Sequence, residues 1–330
     1  MRSSTLALGL LLLLALGLPL LAAGWRWWDS RSGVVEVHAR MPDAGGWSPA
    51  SISVPAGEDL HLKLTSDDVL HSFAIGQSAS PAIDLYPGKP VETTIQFDEP
   101  GKYTYYCTRW CGADHWRMRG TIEVTGDANI QTSAPEQPLY LSLGLDIDAQ
   151  HAASTLPQQR PSAVRGAALG LVLPEKYLAL DYYRAHSPEQ VWNDLRGEPL
   201  TQELDEQQVW DLVALLWQFH ASPGDAESSK QLFARDCAAC HGETGAGDGV
   251  FAHALGAASE TGDVHARQTP ADFADAVHML GASPAVLHGK IVRGGMGTGM
   301  PYWGPIYTDD QVWALVNRLY EFQFEYEDKQ

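Results

Sequence analysis

The chain has 330 residues, 45% of them hydrophobic and 19% charged. That is enough apolar material for two or three buried cores, and it excludes a disordered acidic tail. The net charge of -19 is spread along the whole length, which argues against a nucleic-acid-binding surface and suits cationic protein partners, since charge governs association rather than fold.

The first stretch reads MRSSTLALGLLLLLALGLPLLAAGWRWWDSR. One basic residue precedes an uncharged run from Ser3 to Gly24. Its apolar heart, Leu6 to Ala23, would be about 27 Å long as a helix, close to the thickness of a bilayer core. Ala22 and Gly24 offer small residues to a signal peptidase, whereas Trp25, Trp27 and Trp28 suit the membrane-water boundary of a retained helix. The expectation is a single N-terminal anchor within residues 1–28 in a bacterial cytoplasmic membrane. Whether cleaved or retained, the segment exports everything after it to the periplasmic or outer face.

From Val34 to Val124, short runs with strand character (VVEVHA, SISV, DLHLKLT, HSFAI, VETTIQF, GKYTYYC, GTIEV) are separated by turns such as VPAGED, LYPGKP and DEPG. This spacing predicts an antiparallel β-sandwich or Greek-key barrel over residues 29–126. Beyond Gly126 the pattern turns helical with Pro-rich joints, and QTSAPEQP reads as a linker. The predicted class is multidomain: all-β, then all-α.

The helical part contains an internal repeat. SPEQVWNDLRG (187–197) resembles SPAVLHGKIVRG (283–294), and DEQQVWDLVALLWQF (205–219) resembles TDDQVWALVNRLYEF (308–322). Val209-Trp210 aligns with Val312-Trp313, Trp217 with Tyr320, and Phe219 with Phe322. Two matched segments in one order predict a duplicated helical domain, its first copy within 127–224 and its second within 225–330. The first copy has no cysteine, so it cannot attach haem by thioethers. It is expected to be a degenerate, haem-less cytochrome c-like region in which His151, His186 and His220 are structural.

All four cysteines fall into two close pairs, and disulfides are the ordinary expectation for an exported chain. The second pair lies in RDCAACHGETGAGDG. Cys-x-x-Cys-His is the attachment signature of c-type haem, with Cys237 and Cys240 bonding the porphyrin and His241 placed to ligate iron. Downstream, GGMGTGMPYWGP offers Met300 as the opposite axial ligand, with Met296 as its competitor. His/Met ligation raises the potential and closes the iron to exogenous ligands. His253, His265, His278 and His288 read as surface or packing residues.

The first pair sits in YYCTRWCGADHWRM, residues 105–118. A blue-copper site needs one cysteine, two histidines and a weak axial methionine. Here Cys107 and Cys111 supply thiolate for two copper ions, His115 and Met118 follow at ligand spacing, and DDVLHSFAI provides a further histidine in His71.

Residues 34–125 resemble the CuA cupredoxin domain of subunit II of haem-copper oxidases, whose signature is a VLHSF-type histidine strand followed by C-x3-C-x3-H-x2-M. The resemblance implies that Cys107 and Cys111 bridge two coppers, that His71 and His115 ligate one each, and that Met118 binds weakly. The backbone carbonyl of Arg109 completes the set. The MPYW context of Met300 is similar to the distal loop of class I cytochromes c. A CuA domain followed by a c-type cytochrome resembles the fused subunit II of caa-type cytochrome c oxidases.

That resemblance implies an electron-input subunit. Electrons come from a cytochrome c or a quinol-cytochrome c reductase, pass through haem c and CuA, and reach the membrane-embedded subunit I. The alternatives are a freestanding membrane-tethered carrier and the electron-input subunit of a nitric oxide reductase. A nitrous oxide reductase is disfavoured, because no histidine-rich propeller fits the residues available. No open-coordination metal or acid-base pair is legible, so bond chemistry is expected in another chain. Three features depart from the family pattern. Arg109 stands where Glu or Gln is usual, Trp47 is the one obvious aromatic for docking an external cytochrome, and the chain has at most one span before the β-domain where most relatives have two.

Overall fold

Leu60, Leu62 and Leu64 alternate with Asp59, His61 and Lys63 along DLHLKLTS, and in a strand such alternation puts every leucine on one face. The computed structural model of the chain describes residues 33–78, 80–112, 114–126, 137–221, 223–253, 269–295 and 299–326. The N-terminal anchor expected within 1–28 lies outside the described residues. Among those described, no helix is long and apolar enough to cross a membrane. The described residues form two compact units, one from 33–75 and 80–126, the other from 76–78 and the described residues between 137 and 326.

The first unit is a sandwich of nine strands: β1 (Val34–Ala39), β2 (Trp47–Ser48), β3 (Ser51–Pro55), β4 (Asp59–Ser66), β5 (His71–Ile75), β6 (Ile83–Leu85), β7 (Val91–Gln96), β8 (Gly101–Tyr106) and β9 (Arg119–Thr125). One sheet has the order β2-β1-β4-β7 and the other β3-β9-β8-β5-β6. Val37, Leu60, Leu62, Leu64, Phe73, Leu85, Tyr105 and Ile122 fill the space between them, and burying each leucine contributes about 1.5–3 kcal/mol.

The all-antiparallel expectation needs correction, because β1 pairs parallel with β4 and β3 parallel with β9. After β2 the chain crosses to the second sheet as β3 and returns to the first as β4. A crossing of this kind lets the returning strand run parallel to its neighbour, which a hairpin cannot do; β7, which also returns from the second sheet, pairs antiparallel with β4 instead. β8 and β9 approach closely at one point. A Cβ on Gly120 would sit 2.1 Å from the buried Tyr105 ring, so this position admits only glycine.

The second unit is helical: α1 (Leu139–Ser142), α2 (Ala163–Ala168), α3 (Glu175–Leu178), α4 (Leu180–Ala185), α5 (Pro188–Arg196), α6 (Glu206–His220), α7 (Pro223–Asp236), α8 (Ala238–His241), α9 (Ala276–Gly281), α10 (Pro284–Arg293) and α11 (Asp309–Tyr320). The internal repeat is visible in the caps. Ser187 and Ser283 cap α5 and α10, each with proline in the first turn. Asp205 with Gln208 and Thr308 with Gln311 form capping boxes on α6 and α11, each satisfying two backbone donors that the helix itself leaves unpaired.

The copies differ in the loop between the paired helices: residues 197–205 join α5 to α6, whereas the longer 294–308, which contains Met300, joins α10 to α11. Phe219 and Phe322 also part company. Phe219 is exposed, while Phe322 packs on Phe233 with ring centroids 5.3 Å apart.

The two copies share one core. Trp217 of α6 meets Tyr320 at 5.6 Å and Phe324 at 5.8 Å, and Tyr183 of α4 lies 5.3 Å from Trp217. The Tyr183 hydroxyl donates to Asn317 Oδ1 at 2.6 Å. At the edge, Glu325 N–H donates to Pro161 O at 2.8 Å and Ala163 N–H to Glu325 O at 2.9 Å. Asp211 of α6, nearly buried, takes both guanidinium nitrogens of Arg165 at 2.8 Å and the amide of Ser162 at 2.8 Å.

Candidate metal centres

β8 ends at Tyr106, and the chain returns as β9 only at Arg119, so the intervening loop stands at one end of the sandwich. Cys107 N–H donates to Met118 O at 3.2 Å and closes the loop at its neck. Cys107, Cys111 and Met118 are buried. His71, the first residue of β5, is buried beside them, and its ligating atom lies within 4.8 Å of both cysteine sulfurs.

His71 Nε2 is 2.7 Å from Asp68 Oδ1, and Nδ1 is 3.9 Å from Cys107 Sγ. Burial alone would raise Asp68, but donors from Met41, His71 and Val69 hold it below the usual carboxylate range. An ionised Asp68 only accepts, so Nε2 carries the hydrogen and Nδ1 presents its lone pair to the sulfurs. Burial works against a charged His71, yet Cys107 and Asp68 outweigh it and push its pKa up.

The other donors close round the same point. Arg109 O lies 3.2 Å from Cys107 Sγ, and Met118 Sδ lies 3.6 Å from Cys111 Sγ. His115 Nδ1 is buried with no hydrogen-bond partner, an expensive arrangement unless something else binds it. Its ring packs against the exposed Trp110 at 5.1 Å. A hydrogen bond from Cys111, opposed by burial and aided by His115 and His71, pulls Cys107 far down, and that same contact with burial pushes Cys111 up. Two soft sulfurs, two imidazoles, a thioether and a carbonyl are a donor set that could hold copper; of these, His71, Cys107 and Cys111 have their ligating atoms within 4.8 Å of one another, and His115 is not part of that cluster.

Trp47, expected to serve docking, is buried. Its ring packs edge-on against Phe73 at 5.8 Å and Tyr105 at 5.3 Å, and Nε1 donates to Met118 O at 3.1 Å. It supports the ligand loop from beneath. The exposed aromatic beside the site is Trp110, 45% accessible.

In the helical unit, Cys237 caps α8. Cys240 N–H and His241 N–H both donate to Cys237 O, at 3.1 and 2.9 Å. This single turn places the two thiols and the imidazole together. The glycine-rich tail folds back over it: Gly247 N–H donates to His241 O at 2.9 Å and Gly249 N–H to Cys240 O at 3.1 Å. His241 Nδ1 lies 3.0 Å from Ala271 O, and its ring stacks on Phe273 at 4.5 Å. A carbonyl only accepts, so Nδ1 is protonated and Nε2 keeps a lone pair that could hold a metal. Burial lowers the His241 pKa and keeps the imidazole neutral, as a ligand must be.

Met300 sits half-buried on the loop after α10, where Gly295 N–H donates to its carbonyl at 3.2 Å. Trp303 N–H and Gly304 N–H donate to Ile291 and Val292 carbonyls at 3.1 Å and pin that loop to the helix end. Met296 and His265 lie outside the described residues. His288 is buried, with Nε2 2.9 Å from Asp309 Oδ1. Neither cysteine pair is joined as a disulfide.

Sequence reasoning did not find Asp68 or Ala271. Asp68 has a signal, standing three residues before His71 in DDVLH; Ala271 has none, because it acts through its backbone.

A cupredoxin-like sandwich with a two-thiol ligand loop, followed by a helical unit carrying Cys-x-x-Cys-His, defines a copper- and haem-bearing electron-transfer protein. Residues 48–125 match the family described as cytochrome c oxidase subunit II, periplasmic domain, and residues 226–319 match cytochrome c. A cytochrome c oxidase subunit 2 of Thermus thermophilus is 36% identical over 104 residues, 30% of this chain and 76% of the relative. That of Thermostichus vulcanus is 33% identical over 91 residues, 28% of this chain and 27% of the relative.

Among solved structures, a chain of a haem-copper terminal oxidase dimer has a TM-score of 0.26 at 23% identity, covering 38% of this chain and 99% of its own. The periplasmic domain of subunit II of Bradyrhizobium japonicum cytochrome oxidase has a TM-score of 0.25 at 21% identity, covering 28% and 84%. The chain belongs to the cytochrome c oxidase subunit 2 family. It is a periplasm-facing electron-transfer subunit of a haem-copper oxidase, with CuA copper and haem c as its cofactors.

Proposed function

We propose that Cys107 and Cys111 bridge the copper pair, that His71 and His115 each hold one copper, and that Met118 and the Arg109 carbonyl are the weak outer donors. Haem c is attached through Cys237 and Cys240, with His241 and Met300 on the iron. The observation that carries this reading is the convergence of His71, Cys107 and Cys111 within 4.8 Å in a buried pocket beside the unpartnered His115 Nδ1. Bound there, the copper pair and the haem each supply a one-electron couple that needs little rearrangement. The protein excludes water from the sulfurs, orients His71 through Asp68, and orients His241 through Ala271.

On this reading residues 1–28 anchor the chain and 29–126 hold copper. Residues 127–224 are a haem-less cytochrome c-like region, and 225–330 hold haem. The haem held by residues 225–330 would take electrons from a cytochrome c or a quinol-cytochrome c reductase, the copper held by residues 29–126 would supply the onward one-electron couple, and the membrane-embedded subunit I would be the acceptor.

The test is metal analysis and electron paramagnetic resonance of the purified full chain. A hyperfine pattern from one electron shared by two copper nuclei is expected, together with one iron per chain. Iron without stoichiometric copper overturns the reading. Co-extraction in detergent with a membrane-embedded haem-binding polypeptide is expected, and isolation alone would make the chain a freestanding carrier.

A further inference from the structure

The ligand loop is held at two consecutive residues by two residues that face each other across one strand pair. Ser72 of β5 is the Cα partner of Asp84 of β6, and opposed residues of an antiparallel pair project to the same face. Ser72 Oγ accepts from Thr108 N–H at 2.7 Å, and Ser72 N–H lies 3.4 Å from Cys107 Sγ. Next to it, Asp84 takes Arg109 as a fork, Nε to Oδ1 at 2.9 Å and Nη2 to Oδ2 at 2.8 Å. The side chain of Arg109 therefore points out to Asp84 while its carbonyl lies 3.2 Å from the Cys107 sulfur. With Thr108 fixed on one side and the guanidinium fixed on the other, the peptide following Arg109 has little freedom to turn its oxygen away.

We propose that the Asp84–Arg109 ion pair is a positioning clamp that aims the Arg109 carbonyl at the copper site and thereby sets the balance of donors between the two coppers. This rests on the copper-ligand reading given above. An exposed ion pair contributes little to folding stability. A two-pronged guanidinium-carboxylate contact, in contrast, fixes direction as well as distance. Lysine keeps the charge but not the fork, so the clamp makes arginine and lysine unequal at this position.

The test uses the full chain loaded with copper, in wild type, D84N, R109K and the exchanged pair D84R/R109D. Wild type must first give the shared-electron spectrum; if it does not, the copper reading fails and the clamp is not at issue. Given that spectrum, D84N and R109K are expected to make the hyperfine coupling unequal between the coppers and to shift the near-infrared band. They should also speed copper loss to a competing chelator about fivefold, the scale of one well-aligned ion pair, with melting temperature unchanged. The exchanged pair should recover part of the wild-type spectrum. Spectra and chelator kinetics in D84N and R109K matching wild type would overturn the clamp while leaving the copper centre intact. A lowered melting temperature with an unaltered spectrum would also overturn it, by assigning the pair a structural role.

Discussion

Asp68 accepts the Nε2 hydrogen of His71 at 2.7 Å, and by doing so it decides which imidazole nitrogen faces the two sulfurs. The contact links the loop before β5 to the metal pocket, so a carboxylate outside the ligand set governs a ligand's orientation.

Replacing that carboxylate should therefore be felt at the metal. In D68N the amide can still meet Nε2, but it no longer enforces the tautomer. Copper affinity should fall about 10–100-fold, the usual effect of losing a partner behind a ligating histidine. Competition with a chromogenic chelator measures it, and an unchanged affinity would remove Asp68 from the site.

Met300 is tested on the haem. Thioether attachment depends on Cys237 and Cys240, so Met300→Ala should keep the haem bound while its reduction potential falls by on the order of 100 mV, as a soft axial ligand is lost. Potentiometry with optical detection reads this directly. An unchanged potential would move the axial ligand to Met296 or elsewhere.

Trp217 is 1% exposed and touches aromatic residues of both helical copies. Trp217→Ala should cost about 3–5 kcal/mol through lost contacts and a residual cavity. Because the core is shared, far-ultraviolet dichroism and the haem absorbance should shift to lower melting temperature together. Separate transitions would show two independent cores.

His220 gives the unit a pH dependence. Burial, against a small opposing effect from a backbone hydrogen bond and with help from Arg184, lowers its pKa to about 4 from an ordinary 6.5. The unfolded chain then binds more protons between those values, so stability is complete above about 6.5 and declines as pH falls towards 4. His220→Leu should flatten that decline in urea-unfolding midpoints. An equally steep profile in the variant would place the titration on other groups.

The proposed copper set is legible because five of its six donors fall in one twelve-residue stretch whose residue types have few joint uses, and His71 carries its own strand signature. The Cys-x-x-Cys-His motif is legible because its three residues are nearly contiguous. Trp47 reads in the sequence as a docking aromatic because its burial is not visible there; packing on Phe73 and Tyr105 and the hydrogen bond from its indole to Met118 O place it under the loop. The parallel pairing of β1 with β4 was invisible because alternation reports a strand's faces and not its direction. The repeat announced two similar helical copies, but nothing in a periodic pattern says that Trp217 of one meets Tyr320 of the other.

That aromatic junction bears on how the chain has been free to change. On the proposed reading the first copy, which has no cysteine, is free to drift in its loops. It cannot discard its helices, because the copy with the Cys-x-x-Cys-His motif would then lose one wall of its interior. The first copy is a buttress against which the second leans.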